Sequence, residues 1–575
     1  YLGGILRVRK GQKVRVLLRN ELPGGAENIV HWHGLHVPHE ADGHPLWGIA
    51  KGETYVYEFE VANPAATLMY HSHTHGVTAR QVYAGLAGLL LIGDDEERRL
   101  GLPSGDYDLP VVIQDRAFDD DNQFRYADGH METMMGFLGD QILVNGQRNF
   151  VLPVNTRAYR LRLVNASNAR IYKLGWSDGT PLTVIGTDGG LLDKPVTRPF
   201  VVLAPGERLE LWADFSGRAV GSEMTLRSLP FGGVYPAMHE RMMGGGQAGE
   251  GGRGGMGMMG HGGGGGMGMT QHGGDGNRGA QGEHGGMGMM GGKQGQGGGG
   301  MGMMQHGDEG SRAGQGEHGG MGMMGGGQGQ SGGKGEHGGM GMMGGKSGQG
   351  GGGMGMMQHG DEGSRGGQGG HGGMGMMGGG QGMGTMHGAS LAMGADFPVL
   401  KVHVMQEEKH SDRLPERLVD FKRLNRQEAA NAANPRVFRL TMEHMRWGLN
   451  GKSFEMEAAD AEETVPLNSM QVIEFDNGHT HGGGMGGMMH MAHPMHLHGQ
   501  TFQILKREMS GTPSEAYRDL SRGFVDEGWK DTVLVMPGEK VTILKRFDDF
   551  PGLFLFHCHI LEHEEMGMMR NFLVK

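Results

Sequence analysis

Residues 241–395 constrain this chain more than any other stretch. Of 575 residues, 117 are glycine and 49 are methionine, and this 155-residue block holds 73 of the glycines and 28 of the methionines. It has almost no Leu, Ile, Val or aromatic side chains. Such a composition cannot bury enough apolar surface to offset chain entropy. A disordered insert is therefore expected over 239–395. The block repeats internally, 283–329 recurring at 336–382, and Met-Gly-Met-Met occurs seven times. Neither repeat has an apolar face, so solenoid stacking is excluded. There is no Gly-X-Y period, which excludes collagen.

The other 420 residues hold 44 glycines, an ordinary proportion, and suffice for two or three domains. Short alternating runs dominate, such as KVRVLL, TYVYEFEV, RAYRLRLVN, RLELWADF and KVTILKRF. Runs of this kind between Gly, Pro, Asn and Asp turns favour β-sandwiches or barrels. The best helical pattern is 413–430, expected to be a connector between domains. The turn Ala204-Pro205-Gly206-Glu207 recurs as Met536-Pro537-Gly538-Glu539, which hints at related domains. Net charge is −12, and the block's eight basic and nine acidic residues account for −1 of it, leaving −11. That balance disfavours nucleic acid and suits a cationic substrate. One cysteine excludes an internal disulfide, and no apolar run is long enough for a membrane-spanning helix. The chain opens at Tyr1 in a strand-like run, as expected of a processed, mature protein.

Four histidine clusters carry the chemistry. They are His31-Trp32-His33-Gly34, His71-Ser72-His73, His493-Pro494-Met495-His496-Leu497-His498-Gly499, and His557-Cys558-His559 followed by His563 and Met568. In a strand, residues i and i+2 face one side, so each alternate pair aims two imidazoles at one point. Imidazole suits Cu, Zn, Fe and Ni. Two histidines, a thiolate and a weak axial methionine specify an electron-transfer copper site. Cys558, His563 and Met568 supply three of those groups at compact spacing, and His493 is expected to supply the fourth.

With these clusters, and with TARQVYAGLAGLLLI, VIGTDGGLL, GWKDTV and HCHILEHEEMGMM, the chain resembles the multicopper oxidases, and among them the bacterial copper efflux (cuprous) oxidases. The resemblance covers both flanks of the block. It implies an all-β chain of three cupredoxin-like Greek-key sandwich domains, expected at 1–107, 108–238 (completed by 396–410) and 435–575, with 411–434 as connector. It implies four copper ions. A type 1 copper would be held by His493, Cys558 and His563 with Met568 axial. A type 2 copper would be held by His31 and His496. A type 3 pair would be held by His33, His71, His73, His498, His557 and His559. Single electrons would pass from substrate through Cys558 to the histidine cluster, where four reduce O₂ to water. Asp42 and Glu564 fit the role of proton donors.

The resemblance offers Cu(I) as substrate, oxidised to Cu(II) for copper tolerance. Thioether sulfur is soft and suits Cu(I), and Met485, Met488, Met489 and Met491 precede His493. By resemblance Met442 and Met491 match the family's substrate copper site. Its carboxylates do not match: Met489 and Trp447 stand at those positions, and Glu443 is the nearest acid. The block has two readings, a low-complexity linker with no ligand role or a loop offering further sites for substrate copper, where nine histidines accompany the methionines. Other readings are a laccase oxidising phenols and a copper-sequestering protein. The expected partners are O₂ with Cu(I) or small organic reductants, in an exported, periplasmic monomer. His36, His39, His44 and His75 are given no role and are expected to be exposed loop residues.

Overall fold

The computed structural model describes residues 2–127, 129–236, 239–240, 391–478 and 490–575. The expected insert lies almost wholly outside the described residues, as do Met485, Met488 and Met489.

The described chain is all-β, in three groups of strands. In the first, Ile5–Arg9, Ala87–Gly93, Ala66–Ser72 and Val30–His31 form one sheet in that order, and Lys13–Arg19 pairs with Thr54–Glu60. The sequence dictates the second pair: Lys13–Arg19 alternates exposed and half-buried residues, so one face meets the core around Trp32, Tyr57 and Leu68. The middle group runs from Asp108 to Ser228 and ends with Phe397–Gln406. The last group holds two five-stranded sheets between Arg436 and Val574.

The first and middle groups meet through charge as well as apolar packing. Along Ala158–Asn165, Leu161 and Leu163 enter the middle core while Arg160 and Arg162 lie on the other face. Both arginines are buried. Arg160 pairs with Glu97 and Glu210, and Arg162 pairs with Glu210 and Asp108. Arg162 also donates to Thr67 of the first group at 2.8 Å. A buried charge left without its partner costs several kcal/mol, so these pairs dictate how the groups seat.

Residues 413–430 correct the sequence expectation. They form no helix beyond a single 3-10 turn, Arg426–Glu428. Their backbone groups are satisfied by neighbours instead. Leu418 N donates to Asp193 O at 2.8 Å, Leu424 N donates to Gln503 Oε1 at 2.9 Å, and Gln503 returns a bond to Lys422 O at 2.8 Å. Tertiary contacts override the helical pattern, aided by Pro415 within it. Among the described residues no helix is long and apolar enough to cross a membrane.

Strands Glu223–Ser228 and Phe397–Gln406 are antiparallel neighbours with Ser228 opposite Phe397. The Gly/Met block is therefore strung between two paired strands whose ends already meet. Loop-closure entropy grows slowly with length, about 0.6 kcal/mol per doubling. Replacing 241–390 by a ten-residue Gly-Ser linker, four halvings of length, is expected to leave the fold intact. It should raise stability by up to about 2 kcal/mol. Urea unfolding of the two chains checks this, and a large loss of stability on deletion would show that the block supports the fold.

Candidate metal centre

Strand register brings the motifs together. His31 stands opposite His71, Met495 opposite Cys558 and His496 opposite His557. The second member of each pair lies just past its strand: Val30–His31 ends before His33, Ala66–Ser72 before His73, His493–Leu497 before His498, and Gly552–Cys558 before His559. The pairs are thus not simple i, i+2 neighbours on one strand face. Each is a strand end followed by a turn, and the turns converge.

Two clusters result, both buried. In the first, Cys558 Sγ lies 3.5 Å from His493 Nδ1 and 3.6 Å from His563 Nδ1, and the two Nδ1 atoms are 3.3 Å apart. Met568 is fully buried in the same core. Among the described residues two further groups fix this cluster: the Met134 carbonyl, which belongs to no motif, and Trp447, which the resemblance places only at a substrate position. The Met134 carbonyl, on the short helix His130–Met135, accepts from His563 Nε2 at 3.0 Å and from Trp447 Nε1 at 2.9 Å. The Trp447 ring packs against both histidines, 4.6 Å from His493 and 4.8 Å from His563. A backbone carbonyl only accepts, so His563 Nε2 carries the proton and its Nδ1 lone pair faces the thiol.

The second cluster joins eight histidines from both ends of the chain. The same tautomer logic applies. His31 Nδ1 donates to Asp42 O at 2.6 Å, and His496 Nδ1 donates to Asp531 O at 2.9 Å. Their Nε2 atoms are then both lone pairs, and they face each other at 3.3 Å. His557 Nδ1 donates to Cys558 O at 3.0 Å, and His498 Nδ1 donates to Asp42 Oδ2 at 2.6 Å. Their Nε2 lone pairs face at 3.2 Å, and His73 Nε2 lies 3.3 Å from the same His557 atom. His71 Nε2, His33 Nδ1 and both ring nitrogens of His559 are buried without a partner. Lone pairs aimed at one another in a dry interior repel, and unsatisfied buried nitrogens are costly. Cations between them remove both penalties, so these residues fit metal ions. Among the described residues, five groups of three His, Cys or Asp side chains, drawn from both clusters and Asp531, have ligand atoms within 4.8 Å of one another.

Electrostatics support the same protonation states. Burial holds His31, His33, His73, His493, His498, His557 and His559 well below the ordinary histidine range. Burial lowers His71 to about 4 and His563 to about 3. Neutral imidazoles keep the lone pairs a metal requires. Burial also raises Asp42 and Glu564 well above the carboxylate range. Asp42 touches His498, while Glu564 lies 3.3 Å from His557 Nδ1 and 3.7 Å from His73 Nδ1.

The expected substrate residues are only partly brought together. Half-buried Met442 packs on the core that contains buried Met491, Glu443 is exposed on the next strand position, and Met489 lies outside the described residues. The expectation of exposed loop histidines holds for His75 but not for the others: His36 and His39 are half-buried, His39 within the short helix His39–Asp42, and His44 is buried and bonds Asn571 Oδ1 at 2.9 Å. Sequence reasoning also passed over Asp531, quoted only within GWKDTV. It lies 3.0 Å from His33 Nε2 and pairs with buried Arg208.

Because the metal-free clusters hold opposed lone pairs, adding Cu(II) to the stripped chain should raise its thermal midpoint, and chelators should lower it. An unchanged midpoint with copper in excess would show that the clusters do not bind it.

Multicopper oxidase family profiles match residues 1–97 and 429–575. The cell division protein FtsP of Xenorhabdus nematophila is 42% identical over 218 residues, 38% of this chain and 45% of that protein. The multicopper oxidase mco of Staphylococcus aureus is 40% identical over 216 residues, 37% of this chain and 47% of that protein. These matches thus span about half the length of the curated relatives. The solved structure of McoA, a multicopper oxidase from Aquifex aeolicus, superposes with a TM-score of 0.63 at 25% identity, covering 99% of this chain and 89% of that one. The all-β fold is cupredoxin-like, and both ends of the chain match the multicopper oxidase family.

Proposed function

We propose that this chain is an oxidase that couples four one-electron oxidations to the reduction of O₂ to two waters. The observation that carries it is the pair of clusters joined by consecutive residues. Cys558 belongs to one, and its neighbours His557 and His559 belong to the other. His493, Cys558, His563 and Met568 would hold a type 1 copper. His31 and His496 would hold a type 2 copper, and His33, His71, His73, His498, His557 and His559 a type 3 pair. Copper, when bound, supplies the one-electron steps that light amino-acid side chains cannot. The chain's own residues hold the ions, exclude bulk water and supply protons. Domain limits are proposed at 1–107, 108–238 with 396–410, and 435–575, with 411–434 between them.

The reaction consumes four protons per O₂. Asp42 and Glu564 touch the histidine cluster from two sides, and burial raises both carboxyls well above the carboxylate range, which favours their protonated forms. They are proposed as donors to the reduced oxygen. Asp42→Asn and Glu564→Gln should each lower kcat by roughly 10²-fold while copper content stays unchanged. Equal kcat in both variants would remove them from proton supply.

We propose Cu(I) as substrate: four Cu(I) and four protons with O₂ give four Cu(II) and two waters. Support comes from the soft thioethers of Met442 and Met491 in the core of the Cys558 cluster and from the methionines of the block. Trp447 packs against both histidine rings, the Met134 carbonyl caps His563, and both rings are buried, which leaves little of them open to a flat phenol. Copper tolerance in an exported setting is proposed with it. The role in the name of the FtsP relative does not explain a complete set of convergent ligands. Steady-state oxidation by the full chain and by the chain lacking 241–390 is the test. Fast Cu(I) consumption with slow phenol turnover is expected. Phenol turnover that exceeds Cu(I) oxidation, in either chain, would favour a laccase instead.

A further inference from the structure

Arg208 and Asp531 form a buried ion pair that the copper assignment leaves without a task. Arg208 follows the turn Pro205-Gly206-Glu207, whose counterpart is Pro537-Gly538-Glu539. The two turns are built alike. Glu207 Oε2 accepts from Ala204 N at 2.8 Å, and Glu539 Oε2 accepts from Met536 N at 2.9 Å. They differ in the next residue. Lys540 is partly exposed and pairs with Glu474 at 3.5 Å. Arg208 is wholly buried and points at the histidine cluster.

All five N–H groups of Arg208 are used. Nε donates to Thr67 O at 3.0 Å. Nη1 donates to Gly206 O at 2.8 Å and Asp531 Oδ1 at 2.7 Å. Nη2 donates to Asp188 O at 3.1 Å and Asp531 Oδ2 at 2.5 Å. The guanidinium thus ties the first group, the middle group and the last group to one carboxylate. Asp531 Oδ1 also accepts from Thr532 Oγ1 at 2.9 Å and lies 3.0 Å from His33 Nε2. Asp531 stands close enough to His33 and His496 to share an ion with them. With its oxygens committed to Arg208, Thr532 and His33, it serves as an anchor instead of a ligand.

Two glycines exist for this arrangement. Gly34 has φ +88°, and a Cβ there would lie 2.5 Å from Asp531 Oδ2 and 2.8 Å from Arg208 Nη2. Gly206 has φ +81°, and a Cβ there would lie 2.9 Å from the His559 ring. A side chain at Gly34 would strike the Arg208–Asp531 pair itself, and one at Gly206, the turn before Arg208, would strike the ring of the cluster residue His559.

The pair has one consequence for the cluster. His31, His71, His496, His498 and His557 each use Nδ1 for an outward hydrogen bond and leave Nε2 inward. His33 is reversed: Nε2 faces Asp531, and Nδ1 is the buried nitrogen without a partner. A carboxylate held by arginine is an acceptor, so it fixes the His33 proton on Nε2.

We propose that the Arg208–Asp531 pair is the positioning device for His33, holding its ring so that Nδ1 is the metal-binding atom. The pair acts through His33 and is not itself a ligand. The proposal rests on the copper reading above.

The test compares the copper-loaded full chain with Asp531→Asn, Arg208→Lys and, as a control, Arg570→Lys. The control alters another buried ion pair, in which Arg570 binds Glu463 and Asp460 and not Asp531 or His33. Lysine keeps the charge at 208 but cannot present the two-pronged fork. Copper per chain, chelator competition and the visible absorption of the Cys558 site are read together. Asp531→Asn and Arg208→Lys should bind copper roughly 10- to 100-fold more weakly in the histidine cluster, with the Cys558 band retained. The control should match the parent chain. Full copper occupancy and unaltered competition in both variants would overturn the proposal. Equal loss of the Cys558 band and of all copper would also overturn it, by showing a general structural role. Should both variants fail to fold, a crystal structure of the copper-loaded parent decides: His33 Nδ1 on copper supports the proposal, and Nε2 on copper overturns it. A parent chain that binds no copper sinks the copper reading itself, a result distinct from these.

Discussion

Opposed lone pairs in a dry interior are the constraint on which the rest of this structure depends. Six of the eight cluster histidines are turned by an outward hydrogen bond to a fixed acceptor, and four of those acceptors are backbone carbonyls: Asp42, Ser72, Asp531 and Cys558. A carbonyl has no rotamer of its own and no proton to give. It therefore sets the ring tautomer for as long as the sheet holds its shape. The rigidity of the strands is thus converted into the direction of a lone pair. That conversion explains why each histidine pair sits where a strand ends: the first member is held by the ladder, and the second by the turn.

The cost of that arrangement falls on the seams between strand groups. Proposed ligands arrive from residues 31–73 and from 493–568, so two separate sandwiches must stay in register to within the reach of a metal bond. Apolar packing alone is non-directional and tolerates sliding. The buried arginines answer this need. Arg160, Arg162 and Arg208 all project from the middle group, and each binds carboxylates in a fork geometry that permits little displacement. The middle group supplies none of the proposed copper ligands, yet its charges fix the seams next to them.

Much of this was legible in the sequence, for a physical reason. Metal donors are scarce residue types, so His-X-His and a lone cysteine between histidines stand out against any background. Period-2 alternation likewise showed the strands. What escaped was carried by groups without a side-chain signature. The Met134 carbonyl that turns His563 belongs to no motif, since every residue has a carbonyl. Asp531 and Arg208 were in plain view within GWKDTV and the Pro-Gly-Glu turn. They read as resemblance and as repetition because ion pairs across 323 positions leave no local pattern. The 413–430 stretch failed for the opposite reason: its pattern was local, but its hydrogen-bond partners, Asp193 and Gln503, were not.

The chain therefore divides into parts with very different tolerance for change. In the clusters, a shift of a few tenths of an ångström matters, since a Cβ at Gly34 or Gly206 would already collide with the anchor or a ligand ring. The Gly/Met block joins two strands that are hydrogen-bonded neighbours regardless of what connects them, with Phe231 N donating to Gly394 O at 3.1 Å at the base. Adding residues there changes only a logarithm. A repeat that lengthens at this point meets little thermodynamic resistance, whereas the same insertion before His493 would alter the approach to the Cys558 cluster. Methionine enrichment could accumulate in the block because the fold places so little demand on it there.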